Sequence, residues 1–141
     1  MDANCDPRSR PSRLTVLVIE DSEYLQFCIC QVVKEFQDFD IVGMANTAFD
    51  GVQIAEEMKP DIITLDLNLP DMSGIEVLKQ IRAASTSSSI IVLTSLLQDP
   101  VSKACLDLGA AYVFDKVLDI YKFRDALEEL VRNHSGSAGS R

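Results

Sequence analysis

Glu20 and Asp21, Asp66, Thr94 and Lys116 each stand at the end of an apolar run: LTVLVI, DIITL, IIVL and YVF. The residue types suggest one chemistry. Clustered carboxylates suit a hard divalent cation, and one of them can serve as a nucleophile. A hydroxyl and an ammonium can hold an anion. Together they read as a site where an aspartate is phosphorylated.

Such a site needs elements that deliver one polar group per strand end. Leu14–Ile19 reads as an unbroken apolar strand, and Leu25, Cys28, Ile29, Val32 and Phe36 follow at helical spacing. Phe39–Ala45 reads as a second strand. Val52, Ala55 and Met58 form a helix stripe that stops before Pro60. Asp61–Asp66 reads as a third strand, after which Ser73-Gly74-Ile75-Glu76 has the form of a capping box. Ile90–Leu93 reads as a fourth strand, and Asp99-Pro100 as a helix start closed later by Gly109. Tyr112–Phe114 is a short fifth strand, and Asp119 opens a last helix with Phe123, Leu127, Leu130 and Val131 inward. Strands that are apolar on both faces imply a parallel sheet covered on both sides. The expected fold is α/β: a flavodoxin-like, doubly wound five-stranded parallel sheet in order 2-1-3-4-5, with five helices. One domain is expected over 14–132, with a flexible arm at 1–13 and a flexible Gly/Ser-rich tail at 133–141.

Composition narrows the function. Hydrophobic residues make up 47%, as in a globular chain, and 13 Lys and Arg against 22 Asp and Glu leave a net charge of −9. That balance argues against direct contact with nucleic acid or an anionic membrane. No apolar run approaches a membrane span and no signal peptide is evident, so the expected location is cytoplasmic. Cys5, Cys28, Cys30 and Cys105 lack metal-ligand spacing and read as free thiols. The single histidine, His134, lies near the C-terminal end, which excludes catalysis by a histidine pair or triad.

In the expected strand order, strands one and three are neighbours, so Glu20, Asp21 and Asp66 converge. Three carboxylates brought together repel, and Mg²⁺ would remove that cost. Thr94 and Lys116, from the flanking strands, would bind the oxygens of a phosphoryl group.

The segments VLVIEDS, IITLDLNLPDMSGIEVLKQIR, IIVLTS and GAAYVFDK resemble the receiver domain of response regulators in two-component phosphorelays, over about Leu14 to Val131. The resemblance implies that Asp66 accepts phosphate from a histidine kinase or histidine phosphotransfer protein. It implies that Asp21, Asp66 and the backbone carbonyl of Asn68 hold Mg²⁺, with Glu20 acting through water. Thr94 and Lys116 would follow and pair with the phosphoryl group. Output would pass to a downstream protein, through the fourth helix, fifth strand and fifth helix. Two positions depart from the family pattern. Val117 replaces the usual proline after the lysine, so a trans Lys116–Val117 bond is expected. Val113 falls where the family has a switch aromatic, with rings beside it at Tyr112 and Phe114. The residue two after Thr94, Leu96, would either partly cover the phosphoryl group or simply pack on the fourth helix.

The chain reads as a stand-alone phosphorylation-controlled binding module rather than an enzyme, or as a receiver fragment of a larger regulator. An unphosphorylated scaffold would not need the complete acid, Thr and Lys set. An aspartyl phosphatase needs a second acid two residues after its nucleophile, where this chain has Asn68. A flavin carrier needs a Ser/Thr/Gly-rich loop after the first strand, where this chain has EDSEYL.

Overall fold

A computed structural model describes residues 13–95, 99–116 and 118–139. Its elements alternate without exception: β1 (Leu14–Ile19), α1 (Glu23–Lys34), β2 (Phe39–Ala45), α2 (Ala48–Met58), β3 (Ile62–Leu65), α3 (Gly74–Ala84), β4 (Ser89–Thr94), α4 (Asp99–Asp107), β5 (Tyr112–Asp115) and α5 (Ile120–Gly139). The sheet order is β2-β1-β3-β4-β5, and every neighbouring pair is parallel. This is the expected flavodoxin-like arrangement.

The apolar strands divide their side chains between two cores, because successive strand residues face opposite ways. Leu17, Ile19, Ile63, Leu65, Ile90 and Val92 meet Ala48, Ala55, Val77, Leu78, Ile81 and Cys105 from α2, α3 and α4. Val16, Val18, Ile62, Ile91 and Leu93 meet Ile29, Val32, Val33, Phe123 and Leu127 from α1 and α5. Burial on both faces leaves the carboxyl ends of β1, β3, β4 and β5 along one edge, which is where such a sheet builds a site.

Several local expectations change in detail. Ser73 occupies the N-cap of α3, but its side chain accepts no capping bond. Glu76 instead accepts from Gln80 at 3.2 Å one turn on, so the capping box is present as a pattern only. Asp99 is the first residue of α4, and its side chain lies outside the described residues. Asp119 opens α5 as expected, its carbonyl accepting the Phe123 N–H at 3.0 Å, while its side chain turns back to accept the Asp115 N–H at 2.9 Å. The helix continues through the segment expected as a tail and reaches Gly139. The expected arm lies outside the described residues except for Arg13, which pairs with Asp40 at 3.0 Å. Cys28, Cys30 and Cys105 are free thiols, and Cys5 lies outside the description.

Candidate functional site

β1 and β3 end side by side, in the register Ile19 to Leu65. The Asp66 N–H donates to the Ile19 carbonyl at 3.0 Å, and the Glu20 N–H to the Ala45 carbonyl at 2.9 Å. Sheet bonding therefore extends just past the last strand residues and fixes the first residues of the loops. Glu20 and Asp66 are buried, at 0% and 1% exposure, while Asp21 is exposed. One carboxylate oxygen of each of the three lies within 4.8 Å of the others.

The cluster is held by a small set of bonds. Asp66 Oδ1 accepts the Asn68 N–H at 3.0 Å. Glu20 Oε2 accepts the Ser22 N–H at 3.1 Å. Ser22 in turn caps α1 by accepting the Leu25 N–H at 3.3 Å. Lys116 reaches in from the end of β5, with its ammonium 3.2 Å from Asp66 Oδ2 and 3.3 and 3.4 Å from the two Glu20 oxygens. Its N–H donates to the Thr94 carbonyl at 3.3 Å, which joins the ends of β4 and β5. Thr94 is fully buried.

Electrostatics follow from this packing. Burial pushes the Glu20 carboxyl up to about 7, and the negative charge of Asp66 adds to the rise. The Ser22 N–H and Lys116 pull the other way without restoring the ordinary value. Burial opposes the Lys116 charge, but Asp66 and then Glu20 outweigh it and raise the ammonium above its usual range. Among the described residues, one ammonium stands against three acids, which leaves the edge short of positive charge.

The structure thus brings Glu20, Asp21, Asp66 and Lys116 together and ties Thr94 to Lys116 through the backbone. Asn68 joins through its N–H, and its side chain is exposed. Sequence reasoning missed three supports. The Lys116–Glu20 pair spans 96 positions. Gln26 on α1 donates to the Glu20 carbonyl at 3.0 Å. Asp71 caps α2 from the loop after Asp66. Among the three, only the cap at α2 leaves a local trace, an acid in a turn, and nothing in the chain says which helix it serves. Val113 packs into the first core, while Tyr112 and Phe114 face the second, their rings 5.7 Å apart. Leu96 and Val117 lie outside the described residues, so the lid expectation and the Lys116–Val117 bond do too.

The fold and this edge define a flavodoxin-like sheet protein with acids gathered at the carboxyl ends of its strands, and comparison with known proteins supplies the family. Residues 16–128 match the family described as the response regulator receiver domain, and the chain belongs to it. It is 30% identical over 119 residues to a chemotaxis protein CheY of Listeria monocytogenes, covering 84% of this chain and 99% of that one. It is 34% identical over 125 residues to a protein-glutamate methylesterase/protein-glutamine glutaminase of Bacillus licheniformis, of which it covers 35%. Among solved structures, the CheX-CheY-BeF3-Mg²⁺ complex of Borrelia burgdorferi matches at 26% identity with a TM-score of 0.75, covering 90% of this chain and 96% of that one. Receiver domains of this family bind Mg²⁺ at an acidic pocket and interact with kinases and output partners. Among the described residues, no helix is long and apolar enough to cross a membrane.

Proposed function

We propose that Asp66 is the phosphoacceptor of a two-component signalling pathway, and that phosphorylation changes the affinity of a surface for a downstream protein. The observation that carries this is the Asp66 carboxylate. It is buried, one oxygen is held by a backbone N–H and the other by an ammonium, and two further acids stand beside it. An Asp66 oxygen forms the new O–P bond as the N–P bond of a phosphohistidine donor breaks, the electron pair returning to the imidazole. A carboxylate is a weak nucleophile, so positioning and charge neutralisation supply the rate.

The donors suit Mg²⁺: all are oxygens, and the carboxylates lie within reach of one another. Asp21 and Asp66, with the carbonyl of Asn68, would hold it, and Glu20 would act through water. When bound, the cation supplies positive charge to the acids and to the phosphoryl oxygens. Thr94 donates to a phosphoryl oxygen, and Lys116 shifts its ammonium from the carboxylate to the phosphoryl group. The donor is a histidine kinase or histidine phosphotransfer protein, and the protein works in the cytoplasm as an acceptor that assists its own phosphorylation and dephosphorylation rather than as an enzyme.

The test is incubation with Mg²⁺ and acetyl phosphate, followed by intact mass. Wild type gains one phosphoryl group and Asp66→Asn gains none while keeping its fold. Equal labelling of the variant refutes the assignment of the nucleophile.

A further inference from the structure

Asp71 lies outside the acid cluster, in the turn that leads from Asp66 to α3. Leu69 and Met72 bridge in antiparallel fashion across Pro70 and Asp71, so Asp71 stands at the tip of a closed turn. Its carboxylate reaches away from that turn to another element. Oδ1 accepts the Ala48 N–H at 2.8 Å and Oδ2 accepts the Phe49 N–H at 2.9 Å. These are the first two residues of α2. The next two donors are satisfied locally: the Asp50 N–H by Thr47 Oγ1 and the Gly51 N–H by the Thr47 carbonyl, each at 3.1 Å. The Gly51 bond is the first intrahelical one, and the three N–H groups before it, which have no intrahelical acceptor, are all bonded, two of them by a residue 22 or 23 positions away.

The carboxylate suits the place. A negative charge is favoured at a helix N-terminus, and the N–H groups of Phe49 and then Ala48 hold the Asp71 carboxyl below its ordinary range. The rest of the turn is anchored differently. Leu67 and Leu69 are buried in the first core, and Gly74 passes so close to Leu67 that an added Cβ would lie 2.8 Å from the Leu67 Cβ. Apolar contacts resist withdrawal of the loop, but they are not directional. The two Asp71 bonds are directional, and they act on the segment that carries Asp66 and Asn68.

We infer that Asp71 is a positioning residue for the metal site: by tying the turn after Asp66 to the N-terminus of α2, it holds Asp66 and Asn68 in the arrangement a divalent cation requires. This rests on the Mg²⁺ reading above. A helix cap with no such role would stabilise α2 alone, as the Thr47 side chain does. Thr47→Ala removes a bond at the same helix start without touching the acceptor loop, and it is the control.

The experiment titrates the full chain with Mg²⁺ by calorimetry, for wild type, Asp71→Ala, Asp71→Asn and Thr47→Ala, with circular dichroism to show that each is folded. Asp71→Ala weakens Mg²⁺ binding by about 5–10-fold, the lower range for coupling between separate sites. Asp71→Asn keeps one acceptor oxygen and gives an intermediate affinity, and it carries the test if the alanine variant does not fold. Thr47→Ala loses stability and binds Mg²⁺ as wild type does. Because coupling is reciprocal, Mg²⁺ also slows hydrogen exchange at the Ala48 and Phe49 amides of wild type. Unchanged affinity in the folded Asp71 variants overturns the inference and leaves the metal reading standing, and so does equal weakening by Thr47→Ala. Failure of wild type to bind Mg²⁺ overturns both.

Discussion

Glu20 offers the sharpest measurement of what the site costs the fold. Its carboxyl moves from 4.5 to about 7, chiefly because burial disfavours the charge. A raised acid binds its proton more tightly in the folded than in the unfolded chain, so its linkage lowers stability as pH rises from about 4.5 to about 7 and leaves it level above that. At about 1.4 kcal/mol per pH unit the full effect is roughly 3 kcal/mol. Glu20→Gln keeps an oxygen for the Ser22 N–H and removes the charge, and Lys116 retains Asp66 at 3.2 Å. In EDTA at pH 8 the variant should therefore be more stable than wild type by about 1–3 kcal/mol, a sizeable part of the usual 5–15 kcal/mol of a domain. Below pH 4.5 the two should converge, because wild-type Glu20 is then neutral in both states. Urea unfolding at a series of pH values reads the difference directly. A difference that stays constant from pH 4 to pH 8 refutes the argument that burial of this charge is the cause.

Three further outcomes are expected. Asp21→Ala should weaken Mg²⁺ binding by at least about 10-fold, since loss of a ligand should cost no less than loss of an outer-shell partner; unchanged affinity in a titration removes Asp21 from the ligand set. Thr64 lies in β3 between Val18 and Ile91, with its Oγ1 buried and without a hydrogen-bond partner. Thr64→Val should raise stability by about 1 kcal/mol by relieving that penalty, and a lower urea midpoint contradicts it. Gly74→Ala would place a Cβ 2.8 Å from the Leu67 Cβ and 2.9 Å from the Leu67 carbonyl oxygen, so it should cost about 1–3 kcal/mol as overpacking, measured in the same unfolding assay.

The parts of the fold legible in the sequence are those set by short-range pattern. β1 begins and ends where its apolar run does, because a strand buried on both faces needs nearly continuous apolar residues. Glu20, Asp66 and Thr94 were equally visible, since each is the polar residue that ends such a run, and Asp21 and Lys116 follow within a residue of one. The supports around them were not. Asp71 and Ala48 are 23 positions apart, so the acid in its turn does not name the helix it caps, and Gln26, six positions from Glu20, bonds a backbone carbonyl that no side-chain pattern marks. Ser73 shows the converse. Its pattern announces a capping box, yet the Glu76 side chain meets Gln80 instead. Local propensity proposes a partner, and tertiary geometry decides which one is taken.

The charges at the sheet edge connect this cost to the proposed chemistry. Three acids lie within reach of one another, and Lys116 divides a single ammonium between Asp66 and Glu20 at nearly equal distances. Burial is the main reason the Glu20 carboxyl holds its proton more tightly, and the negative charge of Asp66, which one shared ammonium leaves in excess, adds to it. The same excess is what a divalent cation relieves. On the proposed reading, phosphorylation of Asp66 moves its charge outward from the carboxylate to the phosphoryl oxygens, and Lys116 must follow it. The Lys116 N–H is bonded to the Thr94 carbonyl, so a shift of that side chain acts on the junction of β4 and β5. On the same proposed reading, phosphorylation would act at that junction, at the edge of the sheet beside α4 and α5.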